Sequence, residues 1–117
     1  MTSSSGFTDF HSHLFPGVDD GAQSPEDSAA ALRAFRADGT RQLITTPHFM
    51  GSLTKDRAML DDRLAQLDAG WTRLREVVAT DAERHGSAMR VERGVEVLLD
   101  VPDPDLSDPR LRLAATP

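Results

Sequence analysis

The order of strand-forming and helix-forming segments constrains the fold of this chain more than any other feature. Strand-like patterns occupy residues 6–14, 41–46 and 89–99, and a helical pattern separates each of them from the next. A strand, a helix and a second strand in this order form a parallel pair with a right-handed crossover. The order β-α-β-α-β therefore predicts an α/β domain with parallel strands. Three strands and two helices are few for a finished fold and match the first part of a barrel.

The first helix has clear signals at both ends. Ser24 is a good N-cap, Pro25 suits the first helical position, and Glu26 and Asp27 favour the positive end of the helix dipole. Gly39 supplies a stop signal. The sequence therefore predicts a helix that begins after Ser24 and ends before Gly39.

A second, longer helical pattern runs from about residue 54 to residue 85 and ends at Gly86. Its apolar face consists of residues three and four positions apart, namely Leu60, Leu64, Leu67, Trp71, Leu74 and Val78. Polar side chains such as Arg63 fall off this face, and Gly70 is a mild weakness inside the helix. The pattern predicts one long amphipathic helix.

The length of 117 residues fits a single domain. We expect residues 1–6 to form an N-terminal tail and residues 7–100 to form the strands and helices. Residues 101–117 contain four prolines and little periodicity, so we expect them to form a connector.

The charge and hydropathy of the chain exclude several classes of function. Thirteen basic side chains stand against nineteen acidic ones, which gives a net charge of −6. Binding nucleic acid requires a basic surface that displaces counterions from phosphates, so we expect no nucleic-acid partner. The chain lacks the roughly 18–20 apolar residues of a membrane span and the charged start of a secretory signal. We therefore expect a cytoplasmic protein.

The sequence contains no cysteine. This excludes disulfides, thiolate metal sites and a cysteine nucleophile, so a bound metal must be held by histidine and carboxylate side chains. Such side chains lie at or just past the end of each predicted strand: Asp9, His11, His13, Asp19, Asp20, His48 and Glu96. Because ligands of parallel α/β folds bind at that rim, we expect these side chains to form a site there.

The spacing of the first group has a physical reason. Alternate residues of a strand point to the same side, so we expect Asp9, His11 and His13 to share one face. The two imidazoles then reach one divalent ion together, and Asp9 either joins them or orients a ring through a hydrogen bond. Imidazole and oxygen ligands without sulfur suit manganese, iron or zinc.

The other residues extend the prediction to further ions. Glu96 is suited to bridge two ions, and Asp20 with His48 would complete another site. Each has an ordinary structural explanation when taken alone: Asp19-Asp20-Gly21 fits a turn, His48 a solvated loop residue and Glu96 a solvent-facing strand residue. Three of the four histidines nevertheless fall at one predicted rim. This joint pattern favours a metal site.

Several short motifs together carry a resemblance to a known family. They are Asp9-x-His11-x-His13, Gly17-Val18-Asp19-Asp20-Gly21, the helix start Ser24-Pro25-Glu26, Thr46-Pro47-His48 and Gly94-x-Glu96. They resemble the PHP superfamily, and more narrowly its capsule-locus, CpsB-like protein-tyrosine phosphatases. The H-x-H motif alone is shared with amidohydrolases, whereas the 17–21 loop combined with 46–48 is much more specific. The resemblance covers residues 7–113 and the first half of the family domain.

The resemblance implies a distorted (β/α)7 barrel with a trinuclear site that usually prefers manganese. It also implies hydrolysis of phosphotyrosine on proteins, typically on a bacterial tyrosine kinase of the polysaccharide export machinery. Metal ions neutralise the phosphate charge and acidify a water for attack on phosphorus, so such chemistry needs no cysteine.

The same resemblance assigns roles to individual residues. Carried over residue by residue, the metal ligands are His11 and His13 on the first ion, Glu96 between the first and second, and Asp20 with His48 on the third. Asp9 matches the acidic residue of the first motif and receives a supporting role.

The family's later metal ligands and phosphate-holding arginines have no counterpart in the sequence. We therefore expect a truncated barrel with an incomplete site, and self-association or pairing with a partner through an exposed apolar edge. Two alternatives stay open. One is another PHP phosphoesterase acting on a small ester such as histidinol phosphate, although Asp20 stands where many such relatives have histidine. The other is an inactive remnant that binds metal weakly or only pairs with a partner chain.

Overall fold

The computed structural model describes residues 6–112 and contains two helices and five short strands. Residues 1–5 of the expected tail and 113–117 of the expected connector lie outside the described part. The strands are β1 (Phe7–Asp9), β2 (Thr40–Thr45), β3 (His48–Met50), β4 (Arg90–Arg93) and β5 (Glu96–Leu98). The helices are α1 (Pro25–Ala37) and α2 (Arg57–His85), with 3₁₀ turns at Gly51–Lys55 and Pro109–Leu111.

All strand pairs in the described residues are parallel. One sheet has the order β1-β2-β4, and a second pairs β3 with β5. The predicted α/β class with parallel strands is confirmed. None of the helices within residues 6–112 is long and apolar enough to cross a membrane.

The first predicted strand is shorter than expected, because β1 ends at Asp9 and not near residue 14. Beyond it, one side-chain and one backbone hydrogen bond to residues 45 and 46 replace the regular strand ladder. The Leu14 backbone amide donates to Thr45 Oγ1 at 3.1 Å, and the Thr46 amide donates to the Ser12 carbonyl at 2.6 Å. The two histidines of the H-x-H motif therefore lie on irregular backbone that is held against the end of β2.

The second predicted strand ends before Pro47, as the sequence predicts, and a further short strand follows it. The third predicted strand is divided in two. Pro47 has no amide hydrogen, so it interrupts the ladder between β2 and the unpredicted strand β3. Gly94 and Val95 interrupt the predicted strand 89–99 at the point that lies beside Pro47. The Gly94 amide donates to the Thr45 carbonyl and the Glu96 amide to the Pro47 carbonyl, both at 2.9 Å. The same two chain segments thus run side by side through both sheets.

Both helices end as the sequence predicts. Ser24 caps α1 by accepting a hydrogen bond from the Asp27 amide at 3.1 Å, and Pro25 is its first residue. Gly39 follows α1 with φ of +87° and Gly86 ends α2 with φ of +73°, a region that glycine adopts without steric cost. At its other end, α2 begins at Arg57 and not near residue 54, because Gly51–Lys55 form a 3₁₀ turn.

One buried cluster joins the helices to the sheets. Leu32 of α1, Leu43 of β2 and Phe49 of β3 are fully buried in it. The predicted apolar face of α2 packs there too, with Leu60, Leu64, Leu67 and Leu74 buried and Trp71 and Val78 partly buried. Burying such a side chain contributes roughly 1.5–3 kcal/mol, so this face fixes α2 against the sheets.

Gly70 is the point at which α2 comes close to a neighbouring loop, and not merely a position of low helix propensity. A Cβ atom at this position would lie 2.8 Å from Val18 Cγ1 and 3.1 Å from Phe15 Cδ2. Val18 belongs to the loop that carries Asp19 and Asp20. The missing side chain of Gly70 therefore lets α2 approach the loop.

Candidate metal centre

The structure brings together all five residues that the sequence predicts as metal ligands. Their ligand atoms fall into two groups, each with all atoms within 4.8 Å of one another. The first group contains His11, His13 and Glu96. The second contains His48 and Asp20 together with His13 and the additional residue Asp19.

The first group has the spacing expected for ligands of one ion. Glu96 Oε1 lies 2.9 Å from His11 Nε2 and 3.0 Å from His13 Nε2, and the two Nε2 atoms are 3.3 Å apart. Atoms bound to one ion at about 2.1 Å lie roughly 3.0–3.4 Å from each other. Two imidazoles and one carboxylate also match the three protein ligands of a catalytic site that keeps a position open for water.

Hydrogen-bond chemistry explains why a cation fits between these atoms. His13 Nδ1 lies 2.9 Å from Asp19 Oδ2. A carboxylate only accepts, so His13 donates through Nδ1, and a neutral His13 ring then keeps a lone pair on Nε2. That lone pair faces Glu96 Oε1, which is also an acceptor. Two acceptors 3.0 Å apart require a proton or a metal ion between them.

Glu96 is the residue shared by three histidines. Its pKa is held below the ordinary glutamate value by the hydrogen bond from His11, against a smaller opposing effect of desolvation, and by the charges of His11, His48 and His13. The carboxylate is therefore ionised and ready to bind a cation. Glu96 belongs only to the first of the two groups, and its role as a bridge between two ions stays a prediction.

The second group forms around the ring of His48. Its Nε2 atom lies 3.1 Å from Asp20 Oδ1, and its Nδ1 atom lies 3.4 Å from Glu96 Oε1. The Nδ1 atom is buried without a hydrogen-bond partner among residues 6–112. A neutral imidazole carries one N–H, so at most one of the two contacts to carboxylates is a hydrogen bond. The other contact is again suited to a cation.

Asp9 takes a different position from the one its spacing predicts. Because β1 ends at Asp9, the alternation of strand side chains does not continue to the histidines. Asp9 Oδ1 accepts a hydrogen bond from the backbone amide of His11 at 2.9 Å. Asp9 thus supports the main chain of the H-x-H segment, and it belongs to neither ligand group.

Asp19 is one of the carboxylates that the sequence places at the predicted rim, but the sequence predicts no ligand role for it. Its buried side chain is 4% exposed and accepts hydrogen bonds from His13 Nδ1, the Gly21 amide and the His48 amide. Burial by itself raises the pKa of Asp19, but these hydrogen bonds outweigh it and bring the pKa below the ordinary value. One carboxylate thus holds three parts of the site together. By contrast, the side chain of Asp20 is 85% exposed.

Arg63 of α2 is a second such residue. It donates to the Val18 carbonyl at 3.1 Å and to the His48 carbonyl at 2.7 Å. Burial lowers the pKa of the Arg63 guanidinium, and the charge of Asp19 opposes this effect. Helical periodicity placed Arg63 off the apolar face, and no signal in the sequence indicates that its side chain reaches back to two loop carbonyls.

Gly21 allows the loop to close over the H-x-H segment. A Cβ atom here would lie 2.3 Å from the His13 carbonyl oxygen and 2.4 Å from His13 Cβ. The neighbouring Ala22 amide donates to the same carbonyl at 3.0 Å, and the Gly17 amide donates to the Ala22 carbonyl at 2.9 Å. These contacts place Asp19 and Asp20 beside His13.

Comparisons with known proteins place this chain beside a described family and one characterised relative. A family model described as "Capsular polysaccharide synthesis, CpsB/CapC" matches residues 7–101, which include both ligand groups. The chain is also 40% identical over 48 residues to the tyrosine-protein phosphatase YwqE of Bacillus subtilis (strain 168). That match covers 41% of this chain and 19% of the relative, so the matched segment spans about a fifth of the relative's length.

Proposed function

The chain belongs to the CpsB/CapC capsular polysaccharide synthesis family, and on this premise we propose that it carries part of a metal-dependent phosphotyrosine-protein phosphatase site. The observation that carries the proposal is the 3.0 Å contact between His13 Nε2 and Glu96 Oε1, two atoms that both act as acceptors when the His13 ring is neutral. A divalent ion resolves this contact and uses His11 as its third ligand. Manganese is the ion that we propose, with iron and zinc as ions of compatible ligand chemistry.

Each residue of the site has a defined task in this proposal. His11, His13 and Glu96 hold one ion, Glu96 extends to a second, and Asp20 with His48 serves a third. Asp19 keeps the His13 proton on Nδ1 and so keeps Nε2 available as a ligand. Bound divalent ions supply charge neutralisation at the phosphate and a water acidic enough to attack phosphorus in line.

The proposed substrate is a phosphotyrosine-bearing protein, and the proposed partner is a bacterial tyrosine kinase linked to capsule or exopolysaccharide synthesis. The family description and the activity in the relative's name support this choice. A histidinol-phosphatase type of activity has neither form of support.

We also propose that the described ligands are completed by further groups in a (β/α)7 barrel. The first ligand group already has three protein ligands, which suffice for one ion with an open position. The pair Asp20 and His48 supplies only two side chains of its own. An ion held by so few ligands binds weakly and lacks a fixed geometry.

The test is metal binding and phosphatase activity measured on the same sample. The chain is stripped with a chelator and titrated with Mn²⁺, and hydrolysis of a phosphotyrosine peptide is then measured. We expect at least one bound ion per chain in the wild type and a loss of that ion in His13→Ala. His85→Ala is the matched control, because His85 lies at the end of α2 and outside both ligand groups.

The outcomes separate the competing functions. Hydrolysis of phosphotyrosine peptide that His13→Ala abolishes and His85→Ala retains supports the phosphatase site. A preference for small phosphate esters would instead indicate another phosphoesterase. Equal metal binding by wild type and His13→Ala would refute the proposed ligand set.

A further inference from the structure

The face of the β3–β5 pair that carries the metal ligands continues beyond them. The strand register pairs His48 with Glu96 and Met50 with Leu98. Alternate residues of a strand point to the same side, so Met50 and Leu98 share a face with His48 and Glu96. The pair between them, Phe49 and Val97, points to the other side, where Phe49 is fully buried.

The side chains of Met50 and Leu98 form an exposed apolar platform next to the candidate metal centre. Met50 is 46% exposed and Leu98 is 39% exposed. Met50 and Leu98 each lie two residues beyond His48 and Glu96 along their strands. Two residues of a strand span roughly 6–7 Å, so the platform lies about that far from the ligand pair. Apolar side chains paired across two strands lose the benefit of burial when they face water, so the position is suited to an apolar group that sits beside the metal ions.

We infer that the platform of Met50 and Leu98 receives the aromatic ring of an aryl phosphate ester whose phosphate lies at the metal centre. This inference rests on the proposed function and names the residues that select tyrosine over serine and threonine. In an aryl ester the ring follows the ester oxygen directly, so it must lie against whatever borders the phosphate site. An alkyl ester of serine places only a methylene group there.

The chemistry of the two side chains fits an aromatic ring. The thioether of methionine contacts aromatic rings favourably and adapts its shape to them. Leucine adds branched aliphatic surface. An aromatic ring that contacts both side chains displaces water from both of them. Neither side chain offers a hydrogen bond, so the platform discriminates by apolar contact and not by reading the polar end of the substrate.

The test measures binding and needs no turnover. Benzylphosphonate, which has a methylene in place of the ester oxygen of phenyl phosphate, is titrated by calorimetry into the manganese-loaded chain. Methylphosphonate serves as the matching ligand without a ring. We expect the wild type to bind benzylphosphonate about tenfold more tightly than methylphosphonate, and Met50→Ser and Leu98→Ser each to reduce this ratio by about threefold or more.

The controls distinguish the platform from the metal centre and from general effects on folding. Met59→Ser removes an exposed methionine from α2 and should keep the wild-type ratio. Affinities for Mn²⁺ and methylphosphonate should stay the same in all variants. An unchanged ratio in both platform variants, or an equal loss for both phosphonates, would overturn the inference while leaving the proposed function intact. Failure of the wild type to bind Mn²⁺ or methylphosphonate would overturn both.

A different occupant of the face would also be visible. If a second copy of the chain covers Met50 and Leu98, then the two serine substitutions change the sedimentation coefficient and leave the phosphonate ratio unaltered. That result would overturn the assignment of the platform to the substrate ring.

Discussion

At the scale of single residues, the side chain that organises the candidate site is Asp19, although it is not a predicted ligand. Its carboxylate accepts hydrogen bonds from His13 Nδ1 and from the backbone amides of Gly21 and His48. Each bond fixes a different segment: the H-x-H segment, the loop after it and the start of β3. Asp19 therefore acts on a bound metal through His13 and not by direct contact.

The substitution Asp19→Asn tests this role. The amide keeps the size of the side chain but replaces one acceptor oxygen with a donor, so either the Gly21 amide or both His13 Nδ1 and the His48 amide lose their acceptor. We expect the affinity for Mn²⁺ to fall by about tenfold to a hundredfold, because changing a group that orients a metal ligand has effects of this size. Calorimetric titration measures the affinity, and Asp62→Asn on the exposed side of α2 is the control. An affinity within twofold of the wild type would contradict the role assigned to Asp19.

Gly21 provides a second test at the residue scale. A methyl group there would meet the His13 carbonyl oxygen and Cβ atom at 2.3 and 2.4 Å, so Gly21→Ala must displace the H-x-H segment. We expect a loss of roughly 1–3 kcal/mol in the free energy of unfolding together with weakened Mn²⁺ binding. Urea denaturation and metal titration measure the two effects.

Gly86→Ala is the matched control for that variant. Gly86 has a positive φ of 73° and open space around it, so alanine there costs about 1–2 kcal/mol through backbone conformation alone. It lies at the end of α2, away from both ligand groups, and should leave metal affinity unchanged. If both variants bind Mn²⁺ equally well, then Gly21 has no specific link to the site.

The sequence allowed the candidate ligands and a supporting role for Asp9 to be predicted, but not the contacts of Asp19 and Arg63. His11, His13, His48 and Glu96 stand out because ligand-type side chains follow strand ends. Asp19 and Asp20 are adjacent and chemically identical, and only the fold of the loop turns one inward and leaves the other exposed. That distinction depends on backbone contacts between separate segments, which no local pattern contains.

At the scale of elements, α2 is the scaffold against which the site loops are held. Arg63 donates to the carbonyls of Val18 and His48, and Arg73 donates to the Pro16 carbonyl at 3.0 Å. The apolar periodicity of α2 predicted its existence and its buried face correctly. It did not predict these contacts, because arginine side chains are long enough to reach backwards from the polar side of a helix.

The substitution Gly70→Ala tests the packing of α2 against the loop, because helix propensity and steric contact predict opposite changes in the free energy of unfolding. Helix propensity alone predicts a gain of about 1 kcal/mol for alanine over glycine inside a helix. The contact with Val18 and Phe15 predicts a net loss of roughly 1–2 kcal/mol instead, because the added methyl group overpacks a buried site. Urea denaturation measures the difference, and Ala69→Gly at the exposed neighbouring position calibrates the propensity effect. A stabilised Gly70→Ala variant would show that the loop can move away from α2 at little cost.

The strands show where sequence patterns lose resolution. Three strand-forming segments were predicted and all three lie in the parallel sheets, but Gly94-Val95 divide the third, and the strand β3 that follows Pro47 was not predicted. Taken alone, a proline or glycine at such a position indicates only the end of a strand or a bulge within it. Only their alignment across neighbouring segments shows that the two ladders break together and continue side by side.

At the scale of the whole molecule, several large apolar side chains remain in contact with water. Phe7, Phe10 and Leu99 are each about 70% exposed, at 70%, 69% and 74%. Phe7 lies on β1, which is an edge strand of its sheet within residues 6–112. An edge strand that offers backbone hydrogen-bonding groups beside an exposed aromatic side chain is a template for pairing with another chain.

We therefore expect the chain to self-associate in a concentration-dependent manner through the β1 edge. Sedimentation velocity across a concentration series would detect a sedimentation coefficient that rises with concentration. Phe7→Lys should weaken this association by about tenfold, because it removes an aromatic contact and places a charge on the edge. Met59→Lys introduces the same charge at an exposed position on α2 and should leave the association unchanged. A wild-type chain that stays monomeric at all concentrations would refute the expectation, and equal weakening by both variants would assign the effect to net charge and not to the strand edge.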